Sequence, residues 1–100
     1  MAKLVTTDHA EARIRHRGIS PEQIATCMRW GDRYHTHDYH GHKGADRGET
    51  AYFLSADTVE RARLAGVNIP YCNIAVVVAP NDTIVTVIRC RRPSKHWRPA

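Results

Sequence analysis

His9, Arg13, His16 and Arg17 recur at offsets of four, seven and eight residues. On a helix those offsets return to one side, within about 100° of arc, so two imidazoles and two guanidinium groups would share a stripe. Arginine offers a planar fork to a phosphate, and histidine exchanges a proton near neutral pH. A stripe holding both can grip a phosphodiester and move protons around it. The same pattern also describes a solvated basic helix face with Asp8 as a partner.

Two further groupings carry chemistry. Thr86 and Arg89 close the last strongly apolar segment, and Arg91 and Arg92 follow at once. Strict alternation puts Thr86 on the side of Ile84 and Ile88, where its hydroxyl either meets a substrate or reflects the ordinary β propensity of threonine. His35, His37, Asp38, His40 and His42 form the other grouping. His35 and His37 on alternate strand positions could chelate one metal, with Asp38 and His40 adding ligands from the loop. Their spacing matches no structural zinc pattern, and surface histidines facing a substrate explain them as well. No metal and no cofactor is expected.

These residues sit in a chain of 100 residues with 42% hydrophobic and 25% charged content. That is ordinary globular composition and room for one core. The longest apolar run, Ile74 to Ala79, is far short of the roughly 20 residues of a membrane span. No stretch near Met1 reads as a signal peptide. Cys27, Cys72 and Cys90 are an odd number at unrelated spacings, which argues for reduced thiols in a cytoplasmic protein. P-loop, G-x-S-x-G and C-x-x-C patterns are missing. The net charge is +5, and its excess lies late: residues 51–100 carry seven Lys/Arg against three Asp/Glu. Arg89, Arg91, Arg92, Lys95 and Arg98 form an acid-free cluster that suits a polyanion, RNA or an acidic protein, or serves as a solubilising end.

The elements that must position these groups follow from punctuation. A first helix starts at Asp8, with Glu11 reaching back in a capping box, and ends at Gly18. A second starts at Ser20, with Pro21 at N1, Gln23 at N3 and an Ile19–Ile24 staple, buries Ile24, Cys27 and Met28, and stops at Gly31. Strands are expected over Arg33–Tyr39 and Thr50–Leu54 around a turn-rich loop that carries Arg47. A short helix over Asp57–Ala65 ends at Gly66. Ile74–Ala79 and Thr83–Arg89 form a hairpin around Pro80-Asn81-Asp82. Residues 91–100 are expected to lie loose as a basic tail. Two helices before a mainly antiparallel sheet give an α+β two-layer domain over residues 1–90.

The run His9-Ala10-x-x-Arg13 with Arg17-Gly18-Ile19-Ser20 resembles the opening signature of a widespread bacterial and archaeal family of small domains of unknown function. Asn73 to Val78, the Pro-Asn-Asp turn and Ile84 to Arg89 resemble its closing hairpin. That family is similar to the RelE- and BrnT-like toxins, among the barnase-, EndoU- and colicin-like ribonucleases. The resemblance implies two N-terminal helices on a curved antiparallel sheet, with one extra short helix before the final hairpin. It also implies a metal-independent ribonuclease or an RNA-binding relative. By position, His9, Arg13 and Arg17 would supply the helical part of the site, and Thr86 and Arg89 the strand part. His37 or His16 would supply a second proton-transfer group. His16, Arg47, Arg91, Arg92 and Lys95 would extend the RNA track. The partners so implied are RNA and an acidic antitoxin, with no membrane and with a homodimer left open. A non-catalytic RNA- or protein-binding module and a metal-binding protein using His35, His37, His40 and His42 stand as alternatives.

Overall fold

Capping chemistry sets the helix ends in the computed structural model, which describes residues 5–36, 48–95 and 97–100. Helix α1 spans Asp8–His16, and its N-cap is Thr7, whose hydroxyl accepts from the Ala10 amide. Asp8 therefore sits one position inside the helix, where its carboxylate still complements the positive end of the dipole. Helix α2, Pro21–Trp30, begins with the expected box: Ser20 accepts from the Gln23 amide and Gln23 accepts from the Ser20 amide. Helix α3 spans Ala56–Leu64 and is capped by Ser55.

α1 and α3 close in the same way. Ile19 N–H donates to Ile14 O at 3.0 Å and Gly18 N–H to Arg15 O at 3.3 Å, while Val67 and Gly66 repeat the pattern on Ala62 and Arg63. These are Schellman motifs, and they require the left-handed residue that Gly18 (φ 62°) and Gly66 (φ 87°) provide. Gly31 ends α2 for a different reason. Its φ is an ordinary −71°, but a Cβ there would lie 2.4 Å from the Cys27 carbonyl oxygen and 3.0 Å from the Phe53 backbone.

The strands are β1 Asp32–His35, β2 Thr50–Phe53, β3 Ile74–Val78, β4 Ile84–Arg89 and β5 Arg98–Pro99. They form one antiparallel sheet in the order β4-β3-β2-β1-β5. The expected α+β class holds. α1 packs over β4, and α2 over β3 and β2. Register separates the two faces. Tyr52, Ile74, Val76, Val78, Ile84 and Val87 join Ala10, Ile14, Ile19, Ile24 and Cys27 in the helix-side core. Ala51, Phe53, Ala75 and Val77 point the other way, yet each is at most 6% exposed.

The C-terminal segment is not a loose tail: its end pairs into the sheet as β5. β4 is one edge of the sheet, and β5 lies beyond β1 at the other, with Arg98 opposite His35 and Pro99 opposite Tyr34. Residues 90–97 must therefore pass three intervening strands, a lateral distance of about 19 Å at 4.8 Å per strand. Nine extended steps reach about 30 Å, which leaves slack for a diagonal path. Trp97, near the end of this C-terminal strap, lies on the face away from the helices. Trp97 is half-buried with its ring 6.2 Å from that of Tyr34, and Tyr34 stands opposite Ala51 on that face. Pro99 is tolerated because β5 is an edge strand, where a missing N–H breaks no ladder.

Candidate nucleic-acid interface

α1 is tied to β4 at both ends. At its start, Thr7 N–H donates to Ile84 O at 3.0 Å and Ile84 N–H to Val5 O at 2.8 Å, a short parallel bridge. The Thr7 hydroxyl also reaches Val85 O at 3.3 Å. At its end, Arg89 Nη2 donates to Arg17 O at 3.0 Å, and Nη1 to Asn73 Oδ1 at 3.4 Å. The lengths match: nine helical steps from Asp8 to Arg17 rise about 14 Å and five strand steps from Ile84 to Arg89 about 17 Å. The Arg89 cation thus sits against the negative end of the α1 dipole and satisfies a carbonyl the helix itself cannot.

This arrangement decides which way the cationic stripe faces. Glu11, Ile14 and Arg15 line a cleft of about 770 Å³ against Ile19, Pro21, Glu22, Ile24 and Ala25 of the α2 side. Those three α1 residues lie roughly 140–240° round the helix from His9. His9, Arg13 and His16 occupy the other flank and are exposed, with Arg17 half-buried beside them. Because β4 is an edge strand, that flank opens outward over the sheet margin. Among the described residues, the arginine–carboxylate pairs are Arg61–Asp57 and Arg63–Glu60, both within α3. Asp8 does not pair with the stripe. Arg89 is brought to the stripe's lower end, and the exposed Arg91 and Arg92 follow it.

Thr86 does not join them. The β3–β4 register slips between Val77 and Val78, so Val77 faces Thr86 while Val78 faces Ile84 and Val85 is left over. This bulge breaks the alternation from which Thr86 was expected beside Ile84. Ile84 and Val87 face the helices, whereas Thr86 and Ile88 stand with Val77 and Ala75 on the face away from them. A hydroxyl there cannot serve a phosphate held by α1.

The remaining expected residues are dispersed. His37, His40, His42 and Arg47 lie outside the described residues. His35 is on β1, toward the far edge of the sheet from α1. Lys95 is exposed on the strap. Among the described residues no group of three His, Cys, Asp or Glu side chains is placed to hold a metal ion. The three cysteines are free thiols. Cys27, buried under α2, donates to Tyr52 O at 3.2 Å, and burial pushes its pKa up to about 12, so it is a core thiol and not a nucleophile.

Arg98, counted in the sequence with the basic cluster, is set apart from it on β5 opposite His35; Arg33, opposite Tyr52 on β1, carries no spacing signal in the sequence. No helix among the described residues is long and apolar enough to cross a membrane. Comparison with known protein families, curated proteins and solved structures finds no match to this chain.

Proposed function

We propose that the protein binds single-stranded RNA along the α1–β4 edge, as a toxin-like domain of the metal-independent ribonuclease type. The observation that carries this reading is the junction of Arg89 with the C-terminal end of α1. It aligns Arg13, Arg17 and Arg89 along one open margin with no carboxylate partner among the described residues. Such a row fits a phosphate backbone: Arg13 and Arg17 can each present a fork, and Arg89, held by Arg17 O and Asn73 Oδ1, adds its charge beside them.

The same row supplies what transesterification needs. The RNA 2′-oxygen attacks the adjacent phosphorus, the bond to the 5′-oxygen breaks, one histidine takes the 2′-hydroxyl proton and another gives one to the leaving oxygen. His9 and His16 lie about 10.5 Å apart along the axis, on either side of Arg13. They can flank a phosphate held there, while Arg13 and Arg17 stabilise the developing charge. Thr86 has no part in this scheme. A cytoplasmic location and an acidic antitoxin competing for the same charges belong to this reading. The apolar α1–α2 cleft favours a second one, a protein-binding module that takes an apolar side chain between the helices.

Fluorescence anisotropy with a labelled single-stranded RNA, repeated across salt concentrations, tests the proposal. Arg13→Gln and Arg17→Gln should each lower the log–log salt slope by about 0.7. Cleavage on a denaturing gel should persist in EDTA and disappear in a His9→Ala, His16→Ala double variant. RNA affinity indifferent to salt and to both arginines would overturn it.

A further inference from the structure

The helices cover only part of their side of the sheet. α1 lies over β4 and α2 over β3 and β2, and neither makes substantial contact with β1 or β5. The part that no described helix covers has a definite composition. Register places Arg33 opposite Tyr52, and His35 opposite both Thr50 and Arg98. Thr50 and Tyr52 in turn face Val78 and Val76 of the helix-side core. Arg33, His35, Thr50, Tyr52 and Arg98 therefore share one face over three adjacent strands. Arg33, His35 and Arg98 are exposed, and Thr50 and Tyr52 half-buried.

A solvent-facing sheet surface is expected to be polar, but a neutral surface mixes signs. This one does not. Asp32, the acid of β1, stands opposite Phe53 and so belongs to the other face. Among the described residues no carboxylate pairs with Arg33 or Arg98. The two guanidinium groups occupy diagonal positions of an antiparallel pair, where backbones about 7–8 Å apart let long side chains meet and like charges repel. Arg98 reaches this place because the strap carries it across the sheet, and the Ala100 amide, donating to Arg33 O at 2.9 Å, fixes the end of β5 there.

We infer that this half-sheet is a second nucleic-acid surface, which takes the phosphates of a single RNA strand on Arg33 and Arg98 and a base against Tyr52. The charge matches a polyanion, and the aromatic ring beside Arg33, on the side away from Arg98, adds what a simple ion would not need, a face for stacking. The inference rests on the RNA-binding reading for its partner class but on different residues. The two surfaces lie toward opposite edges of the helix side, with α2 between them. A strand that engages both must therefore pass over α2.

Backbone amide NMR with a six-nucleotide single-stranded oligouridylate separates the two. Shifts confined to Arg33–His35, Thr50–Tyr52 and Arg98–Ala100 would uphold this surface and overturn the α1 edge. Shifts confined to α1 and β4 would do the reverse. Shifts in both sets uphold both, and none at all overturns both. An Arg33→Gln, Arg98→Gln variant then gives the magnitude. Loss of two phosphate contacts at about 0.7 each lowers affinity about 25-fold at 0.1 M salt relative to 1 M. The same affinity as the unsubstituted chain would overturn the surface. Both side chains are exposed, so the variant should fold, and an unchanged urea midpoint checks that it does.

Discussion

Removing residues 91–100 should destabilise the whole domain if, as the Trp97–Tyr34 contact suggests, that segment shields the sheet face away from the helices. Phe53 and Val77 on that face are 2% and 6% exposed. Burying a side chain of that class is worth about 1.5–3 kcal/mol. The sheet still shields the flanks of each residue once the strap is gone, so about half of that is lost, near 2 kcal/mol for the pair. The Tyr34–Trp97 ring contact adds about 0.5–1.5 kcal/mol. A total near 3 kcal/mol is a large part of the about 5–15 kcal/mol that holds such a domain together. Urea unfolding followed by far-UV circular dichroism should show the midpoint falling by about 2 M, at a slope near 1.5 kcal/mol per molar. The truncated chain should also bind a hydrophobic dye before unfolding. Trp97→Ala should produce roughly a third of the shift. A truncated chain with the full-length midpoint and no dye binding would refute the reasoning, since Phe53 and Val77 would then be covered by something else.

Gly31→Ala should cost about 3 kcal/mol and Gly18→Ala about 1–2 kcal/mol, both read by thermal or urea unfolding. The order is the informative part: Gly18 has the positive φ but open space, while Gly31 has an ordinary φ and backbone 2.4 Å from any Cβ. Cys27 makes the domain alkali-sensitive. Its thiol is raised from 9.0 to about 12, so between those values the folded chain keeps a proton that the unfolded chain releases. Stability from this group is complete below pH 9 and falls as pH rises toward 12, by about 4 kcal/mol in all; Cys27→Ala should flatten that decline in urea titrations at successive pH values. Thr86→Val should leave RNA affinity within twofold in the anisotropy assay, because its side chain is on the face away from α1. A tenfold loss would mean that the two faces communicate.

The caps were legible because their chemistry is local. Ser20, Pro21 and Gln23 announce α2 within four residues, and Gly18 and Gly66 mark left-handed positions that other residues avoid. Thr7 was passed over because its neighbour Asp8 is an equally good cap by type, and only the backbone bridge to Ile84 decides between them. The Val85 bulge leaves no trace in Ile84-Val85-Thr86-Val87-Ile88, where every residue favours a strand in either register. So the stripe on α1 was readable and the side of Thr86 was not. β5 was hidden for a related reason. Two residues, one of them proline, have no periodicity, and their pairing with β1 depends on a path across the sheet that no local pattern encodes.

The double tether of α1 has a consequence for which sequence changes this domain can absorb. A substitution on the exposed flank alters one side chain. A one-residue deletion inside α1 leaves Thr7 held to Ile84 and Arg17 held to Arg89, yet removes 1.5 Å and 100° of winding between them. Either a tether breaks, or the residues after the deletion turn a quarter-circle relative to those before it and the two histidines no longer look the same way. The length of this helix is therefore a phase setting. Drift in composition is tolerated there, whereas insertion and deletion are not.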